Sequence, residues 1–323
     1  MNLYETLTDK NLSRLNILPI QYDDIWSFYK KQMSLFWTAE EIPYSNDLND
    51  WKNLSDNERF FIKQILSFFA TADGIVVDNL VDNFINEFEI IEVKYNYTWQ
   101  AMMENIHTET YNLLLDTLIS DSNEKNKLLN GITNNKYIKK KSDWIKIYFN
   151  QDIPIGKRLI AFAIVEGLFF SGSFCSLYWL KDRGLCPALT FSNELIARDE
   201  GMHTEFAVLL YNKYIINKQD EIDIHNMIKK AVDIEIDFIT NAIKENLIGI
   251  NSVSMSNYIK YVADRLLLQL NYSKIYNTSN PFDFMNKINI DLKENFFERK
   301  VLNYRKYGIN ELKNDKFSLD DDF

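Results

Sequence analysis

Breakers of regular structure are scarce in this chain, which has only nine glycines and five prolines among 323 residues. Average proteins contain ~7% glycine and ~5% proline, so the shortage argues against many short strands and favours long, uninterrupted helices. We therefore expect an all-α fold. The apolar periodicity predicts helices at roughly 21–38, 56–87, 92–120, 156–182, 188–216, 221–246, 253–271 and 291–307.

Cysteines and long apolar runs are also scarce. Two cysteines, Cys175 and Cys186, cannot form a disulfide framework in a chain of this length. The first residues show no basic segment followed by an apolar stretch, so no secretory signal is predicted. The best apolar run, Leu159 to Phe170, is interrupted by Glu166 and is shorter than the ~20 residues that cross a bilayer. We expect a cytoplasmic protein with no membrane span.

Positive charge is in deficit, because 36 Lys and Arg stand against 46 Asp and Glu, a net charge of −10. This balance repels a phosphate backbone, so nucleic acid is not an expected partner. Neither GxGxxG nor GxxxxGK[ST] occurs, which excludes nucleotide sites of those two kinds. An Asn- and Lys-rich stretch at 121–142 contains Lys139, Lys140 and Lys141 in a row. We predict a solvated connection between helices there, rather than an anion site.

The last residues are polar, show no helical apolar stripe and end in three consecutive aspartates before the final phenylalanine. We predict a helical domain at residues 1–307 and a flexible tail at 308–323. The tail nevertheless carries three apolar side chains, Phe317, Leu319 and Phe323. One interpretation is a merely solubilising acidic end. The other is a disordered segment that docks into a groove of a partner.

Histidine is the rarest informative residue, with three copies, and two of them occupy the same ExxH frame. Glu104 precedes His107 by three positions, and Glu200 precedes His203 in the same way. This spacing puts both side chains of a pair on one helix face, where they can bind one ion. A single ExxH is more often a surface pair. Two of them, using two of three histidines, indicate a metal site.

Each ExxH follows, by about 30 residues, another acid in an apolar stretch: Asp73 before Glu104, and Glu166 before Glu200. Carboxylates in apolar surroundings are costly unless they are paired or bind a cation. The spacing suits two helical hairpins that face each other, the ligand arrangement of ferritin-like dinuclear carboxylate bundles. Four carboxylates would balance two divalent ions, and this oxygen-rich set favours iron or manganese over structural zinc. Six polar residues satisfying one another would leave the carboxylates short of donors.

Tyr111 follows Glu104 by seven residues, so it shares the metal-facing side of its helix. The spacing also turns Phe170, Phe174 and Ile196 toward the same interior. A tyrosine beside an oxidising metal pair, in a dry apolar pocket, is what a long-lived phenoxyl radical needs. The alternative is a core tyrosine with a bound hydroxyl, surrounded by ordinary core residues.

Several motifs, in order along nearly the whole chain, carry a specific resemblance. They are SLFWTAEEI (34–42), FFATADGIVVDNLV (68–81), MENIHTETYNLLLD (103–116), VEGLFFSGSF (165–174), LTFSNELIARDEGMH (189–203) and FSLDDDF (317–323). In these segments the chain resembles the small, radical-generating subunit of class I ribonucleotide reductase, of the eukaryotic and viral type. The resemblance implies a ferritin-like bundle with additional helices whose core holds two metal ions. It assigns the metals to Asp73, Glu104, His107, Glu166, Glu200 and His203.

The resemblance also implies residues for radical storage and transfer. Tyr111 would hold the radical, and Trp37 and Asp199 would form a hydrogen-bonded electron path past a metal-bound histidine. Taken alone, Trp37 would be an ordinary buried aromatic residue, and Asp199 a partner of a metal-bound histidine. Tyr304 would carry the radical toward the partner, with Tyr307 as the alternative carrier.

The function implied is that of a ribonucleoside-diphosphate reductase small subunit. Its cofactor would be two iron ions per chain, with mixed manganese and iron occupancy left open. The diferrous centre would react with O2 and oxidise Tyr111. The oxidising equivalent would then pass to a separate large catalytic subunit, docked through Phe317–Phe323, where ribonucleotides become deoxyribonucleotides. A homodimer is also implied.

Three other functions remain to be separated from this one. A dinuclear monooxygenase or fatty-acid desaturase would act on its own substrate and would not need Tyr111 or the terminal FSLDDDF motif. A ferritin-like iron store would be a much shorter chain and would assemble into shells. A homologue serving as a partner subunit without a radical would not require the intact ligands and Tyr111.

Overall fold

The computed structural model describes residues 6–244 and 247–285, and the regular structure of these residues is helical, with no β-strand. The all-α prediction is confirmed. The helices of ten or more residues are α1 (Asp23–Met33), α2 (Asp56–Asn79), α3 (Ile91–Leu118), α4 (Lys136–Ile147), α5 (Ile155–Ile164), α6 (Ser171–Asp182), α7 (Pro187–Tyr214), α8 (Glu221–Ala242) and α9 (Ser252–Gln269). Shorter helices and 3₁₀ turns lie at Thr6–Thr8, Lys10–Leu12, Ala39–Glu41, Tyr44–Asp47, Leu48–Asn53, Ile85–Glu87, Ser122–Leu129 and Gly131–Asn134.

Local sequence signals set the starts of the long helices. Ser55 caps α2 in a capping box with Glu58, which satisfies backbone amides that have no partner within the helix. α7 begins at Pro187, whose fixed φ suits the first helical position. The Asp47 carboxylate accepts from the next two amides, those of Ala188 and Leu189, both at 2.7 Å. A distant acid thus replaces a local cap at this helix.

The central helices pack in the two predicted pairs. α2 packs along α3, while α5 and α6 pack along α7, and α3 contacts α7 across the centre. The long helices α3 and α7 bury residues over their whole length, which makes them the middle of the core.

Two of the predicted continuous helices contain a wider π-turn. The helix predicted at 56–87 passes through Leu80–Phe84, and the one predicted at 156–182 passes through Val165–Phe169. The second π-turn carries Glu166 and joins α5 to α6. Such single-turn π segments are rare and occur frequently at functional sites.

The polar stretch at 121–142 differs from its prediction. It folds into helices Ser122–Leu129 and Gly131–Asn134 and the first half of α4. Lys139 and Lys140 are exposed, as expected for a solvated segment, but Lys141 is only 1% exposed. The prediction is wrong for Lys141 because this residue lies on the apolar stripe of α4, between Ile138 and Ile145.

Two helical stretches, Asp56–Glu87 and Ile155–Asp182, are long and apolar enough to cross a membrane by length and composition alone. Both stretches, of 32 and 28 residues, are longer than the apolar run Leu159 to Phe170 that was noted in the sequence. Within the fold, 61% of the most apolar window of the first stretch and 94% of that of the second are buried. This burial is typical of the core helices of a globular protein.

The described chain up to Pro281 belongs to one compact unit, and Phe282 begins a second. Residues 282–285 are the described part of that second unit. Several predictions fall outside the described residues: the helix at 291–307, the boundary between 1–307 and 308–323, the candidate radical carriers Tyr304 and Tyr307, and the docking segment Phe317–Phe323.

Candidate dinuclear metal centre

The acids and histidines singled out in the sequence meet in the core of the bundle. α2 contributes one of them, α3 and α7 contribute two each, and the π-turn between α5 and α6 contributes one. All are at most 2% exposed. The six residues are Asp73, Glu104, His107, Glu166, Glu200 and His203.

The six residues form two overlapping groups. One donor atom from each of Glu104, Glu166, Glu200 and His203 lies within 4.8 Å of the other three. Asp73, Glu104 and His107 meet the same criterion. Because Glu104 belongs to both groups, the arrangement fits two adjacent ions that share a carboxylate.

The two ExxH pairs contact each other, because each histidine lies close to the glutamate of the other pair. His107 Nδ1 lies 3.1 Å from Glu104 Oε2 and 2.9 Å from Glu200 Oε1. His203 Nδ1 lies 3.0 Å from Glu104 Oε1 and 2.8 Å from Glu200 Oε2. Each glutamate thus places one oxygen toward each histidine, as a carboxylate bridging two ions would.

The electrostatics of the cluster favour cations. Burial raises the pKa of Asp73 and of Glu166 well above the usual range, and the neighbouring carboxylates raise both further. Burial alone would lower the pKa of His203, but Glu200 and Glu104 raise it to about 10. Both oxygens of Asp73 and Oε2 of Glu166 have no hydrogen-bond partner among the described residues.

The donor chemistry therefore fits a metal pair. Buried carboxylate oxygens without donors are costly, and divalent ions would remove that cost. The charge of four carboxylates matches two divalent cations, and one imidazole is available per ion. The cluster fits a dinuclear metal site of the oxygen-rich kind.

Gln100 is a further member of the site that the sequence analysis missed. Its Nε2 donates to Glu166 Oε1 at 3.0 Å and to Glu104 Oε1 at 3.4 Å, so it links the π-turn to α3. The signal was its position four residues before Glu104, on the same helix face.

Tyr111 is buried in the interior, as its spacing from Glu104 predicted. It is 1% exposed, and its ring stacks on Phe69 with centroids 4.5 Å apart and an angle of 3°. Phe69 in turn contacts Phe170 and Phe174, at 5.7 and 5.0 Å between centroids. Ile196 is buried as well.

The phenol of Tyr111 is held neutral beside the acids. Burial raises its pKa well above the usual range, and Asp73 and Glu200 raise it further. Its hydroxyl has no hydrogen-bond partner among the described residues. The alternative considered from sequence was a core tyrosine whose hydroxyl is hydrogen-bonded. No described residue provides that hydrogen bond.

Trp37 and Asp199 connect to the cluster through hydrogen bonds. Trp37 Nε1 donates to Asp199 Oδ2 at 2.7 Å, and the same oxygen lies 3.3 Å from His107 Nε2. The Trp37 ring also stacks on the His107 ring, at 5.9 Å and 19°. The structure thus joins these three residues into a continuous chain from the metal cluster to Trp37.

Arg198 supports that chain and was also missed in the sequence. Its Nε and Nη2 donate to Asp199 Oδ1 at 3.1 and 2.9 Å, and Nη2 also donates to the Leu35 carbonyl at 2.8 Å. Burial would raise the pKa of Asp199, but Arg198 and the hydrogen bond from His107 lower it below the usual range. Asp199 is therefore a charged acceptor for both of its other partners.

A helical bundle whose core holds four carboxylates and two ExxH histidines defines a ferritin-like dinuclear carboxylate protein. Comparison with known proteins narrows this class. The family model of the ribonucleotide reductase small chain matches residues 14–281. The chain belongs to the ribonucleotide reductase small-chain family.

The similar proteins cover nearly the whole chain. The ribonucleoside-diphosphate reductase small chain of Variola virus is 50% identical over 319 residues, which is 99% of this chain and 100% of the relative. The small chain of Trypanosoma brucei brucei is 51% identical over 321 residues, 99% and 95% of the two chains. Among solved structures, the ribonucleotide reductase Rnr4 homodimer from Saccharomyces cerevisiae is 35% identical, with a TM-score of 0.81 and 93% of each chain covered.

Proposed function

We propose that this chain, the small subunit of a ribonucleoside-diphosphate reductase, uses two iron ions and O2 to generate a radical on Tyr111. The ions would be held by the six clustered residues, with Glu104 and Glu200 shared between them. Mixed manganese and iron occupancy is the alternative metal content. When bound, the metal pair supplies the oxidising equivalents from O2.

The protein residues would then have separate tasks. The carboxylates balance the metal charge in a core that excludes water. Oxidation of Tyr111 to a neutral radical would remove one electron and the Oη proton, and both would end in the water formed by reduction of O2. The Asp73 carboxylate lies close enough to Tyr111 to raise the pKa of the phenol beyond the effect of burial. The rings of Phe69, Phe170 and Phe174 shield the radical from solvent and reductants.

The radical would leave the core through the hydrogen-bonded chain. Trp37, Asp199 and His107 provide a connected path, and Arg198 keeps Asp199 charged and oriented. Tyr304 would continue the path to the large subunit, with Tyr307 as the other candidate. Phe317–Phe323 would dock that partner. The small chain would form a homodimer, as the homodimeric relative suggests. It would act in the cytoplasm.

The observation that carries this proposal is the position of Tyr111. A fully buried phenol, stacked on Phe69 and lacking a hydrogen-bond partner in the described chain, lies beside a carboxylate cluster suited to two metals. A monooxygenase or desaturase needs room for an organic substrate beside the metals, whereas the Phe69 ring stacks directly on this phenol and the rings of Phe170 and Phe174 pack against Phe69. An iron store or a subunit without a radical would not need the phenol.

The test is electron paramagnetic resonance at low temperature after metal loading. Metal-free protein receives two ferrous ions per chain without oxygen, together with ascorbate, and is then exposed to air. Ascorbate supplies the fourth electron that reduction of O2 to water requires, because the two ferrous ions and Tyr111 supply three. The wild type should give a tyrosyl signal. Tyr111→Phe should keep its metal content but lose the signal, because the ring remains and the oxidisable hydroxyl is gone. Tyr178→Phe changes another buried tyrosine and is the matched control; this variant should keep the tyrosyl signal. An unchanged signal in Tyr111→Phe would refute the assignment.

A further inference from the structure

A buried ion pair lies against the segment that carries Glu166. Lys141 of α4 is 1% exposed, Glu235 of α8 is 0% exposed, and their charged groups are in contact. Removing two charges from water is costly, and replacing such a pair by well-packed neutral residues is often neutral or even stabilising. Fold stability alone therefore does not explain why two charges are placed here.

Lys141 contacts the last residue of the π-turn. Its Nζ donates to the backbone carbonyl of Phe169 at 2.8 Å. The same ammonium lies 3.5 Å from the centroid of the Phe68 ring and 4.1 Å from that of Phe238, so it cannot move without losing both contacts. Phe169 is three residues after Glu166, and the bond thus fixes the backbone at the end of the turn that presents this carboxylate.

Glu235 contacts the backbone just beyond the turn. Its Oε1 lies only 2.6 Å from where a Cβ on Gly172 would stand, so the close approach requires glycine. Gly172 is in the first turn of α6, where a carboxylate also interacts favourably with the helix dipole. Lys141 therefore binds backbone just before Phe170, and Glu235 lies against the chain just after it; Phe170 separates the π-turn from α6.

We infer that Lys141 and Glu235 form a positioning clamp that holds the π-turn Val165–Phe169. The clamp would thereby keep the Glu166 carboxylate in place to bind one of the two metal ions, the one assigned to the group that contains Glu166. Gln100 steadies the Glu166 carboxylate itself, whereas the clamp fixes the backbone behind it. The clamp also places Phe170, whose ring packs against the Phe69 ring beside Tyr111. This inference rests on the proposed dinuclear site and adds two positioning residues that are not ligands.

The experiment measures metal binding without turnover. Metal-free protein is titrated with Mn²⁺ in the absence of oxygen, and the free ion is followed by electron paramagnetic resonance. Wild type should bind two ions per chain. In Lys141→Met/Glu235→Gln, which removes both charges at similar volume, one ion should bind about tenfold more weakly, as is usual when a supporting contact of a ligand is lost. The other ion should bind as in wild type. Arg183→Met/Glu58→Gln removes an ion pair remote from the π-turn and should leave both affinities unchanged.

A second variant tests the clamp from the backbone side. A Cβ on Gly172 would meet Glu235 Oε1 at 2.6 Å and Ile239 Cγ1 at 2.8 Å, so Gly172→Ala should displace both side chains and weaken binding of the same ion. Gly74→Ala, whose Cβ would meet nothing within 4 Å, should leave binding of both ions unchanged. If Lys141→Met/Glu235→Gln fails to fold, the comparison of Gly172→Ala with Gly74→Ala still tests the clamp. Wild-type affinities for both ions in folded Gly172→Ala, or equal weakening of both ions, would overturn the clamp. A wild type that binds fewer than two ions would instead contradict the proposed function.

Discussion

At the scale of single residues, Glu104 has the most demanding position in the site. It lies within reach of both histidines and belongs to both ligand groups, whereas Glu166 belongs to one. A carboxylate shared in this way balances charge on two ions at once. Its loss should therefore affect both ions, and the loss of Glu166 only one.

We therefore expect Glu104→Ala to lose tight binding of both metal ions and Glu166→Ala to retain one. Removing a carboxylate leaves cationic charge uncompensated in a site of low dielectric constant, which is strongly unfavourable. Metal content after equilibrium dialysis gives the stoichiometry. Glu109→Ala, at an exposed glutamate on the same helix, is the control and should keep two ions. Full occupancy in Glu104→Ala would exclude Glu104 as a ligand.

A second prediction concerns the transfer path. Tyr304→Phe should form the Tyr111 radical normally and abolish nucleotide reduction, because phenylalanine cannot be oxidised and reduced in its place. Tyr307→Phe is the control and should retain activity. The two measurements are the tyrosyl signal and turnover with the large subunit. Turnover in Tyr304→Phe together with its loss in Tyr307→Phe would transfer the role to Tyr307.

Residues with a distinctive pattern were predictable from sequence, and supporting residues were not. Two ExxH motifs among three histidines, each following an acid in an apolar stretch, located the cluster. Gln100 and Arg198 had no such pattern, since an amide or a guanidinium beside a ligand is common on any helix. Lys141 was misread because a run of three lysines suggests solvent, although the stripe of α4 included it.

At the scale of helices, existence and extent were predictable but the π-turns were not. The structure has helices at Ile91–Leu118 and Pro187–Tyr214 where the periodicity predicted 92–120 and 188–216. In Val165–Phe169 the hydrogen bonds shift by one residue, a change that leaves the apolar pattern intact. Its stabilising contacts come from distant residues, Gln100 and Lys141, which no local window contains.

The buried pair of α4 and α8 predicts a pH dependence of stability. Burial raises the pKa of Glu235 to about 7, although Lys141 acts to lower it. Burial lowers the pKa of Lys141 to about 8, although Glu235 acts to raise it. Up to about pH 7 the folded chain keeps a Glu235 proton that the unfolded chain has lost, so this contribution to stability falls as pH rises. Above about pH 8 the folded chain has lost a Lys141 proton that the unfolded chain keeps, so stability rises again.

Relative to Lys141→Met/Glu235→Gln, which titrates at neither position, the metal-free wild type should be least stable between about pH 7 and 8. The fall from about pH 5 should be on the order of 2–3 kcal/mol. Urea unfolding of both proteins across this pH range measures the difference. A difference that does not vary with pH would show that the pair keeps its ordinary pKa values in the fold.

At the scale of the whole molecule, the fold would isolate the radical that we propose on Tyr111. Tyr111 and the candidate metal ligands are buried in the core, where the Phe69 ring stacks on the phenol and packs against the Phe174 ring. An oxidising equivalent made there is useful only if it leaves along a defined path. With the proposed radical buried in this way, a small chain would need a large subunit to use the oxidising equivalent.

The last prediction concerns how the second subunit is held. Phe317, Leu319 and Phe323 are spaced along an acidic segment, and exposed aromatic side chains add no solubility, so they favour docking into an apolar groove. Deleting residues 317–323 should leave folding, metal content and the Tyr111 radical unchanged but abolish reductase activity, and the free heptapeptide should inhibit the intact complex.

A heptapeptide with both phenylalanines changed to alanine should not inhibit, because the anchors supply most of the buried area. Changing the three aspartates to asparagine should weaken association mainly at low salt. A truncated chain that still bound and activated the large subunit would refute the docking role.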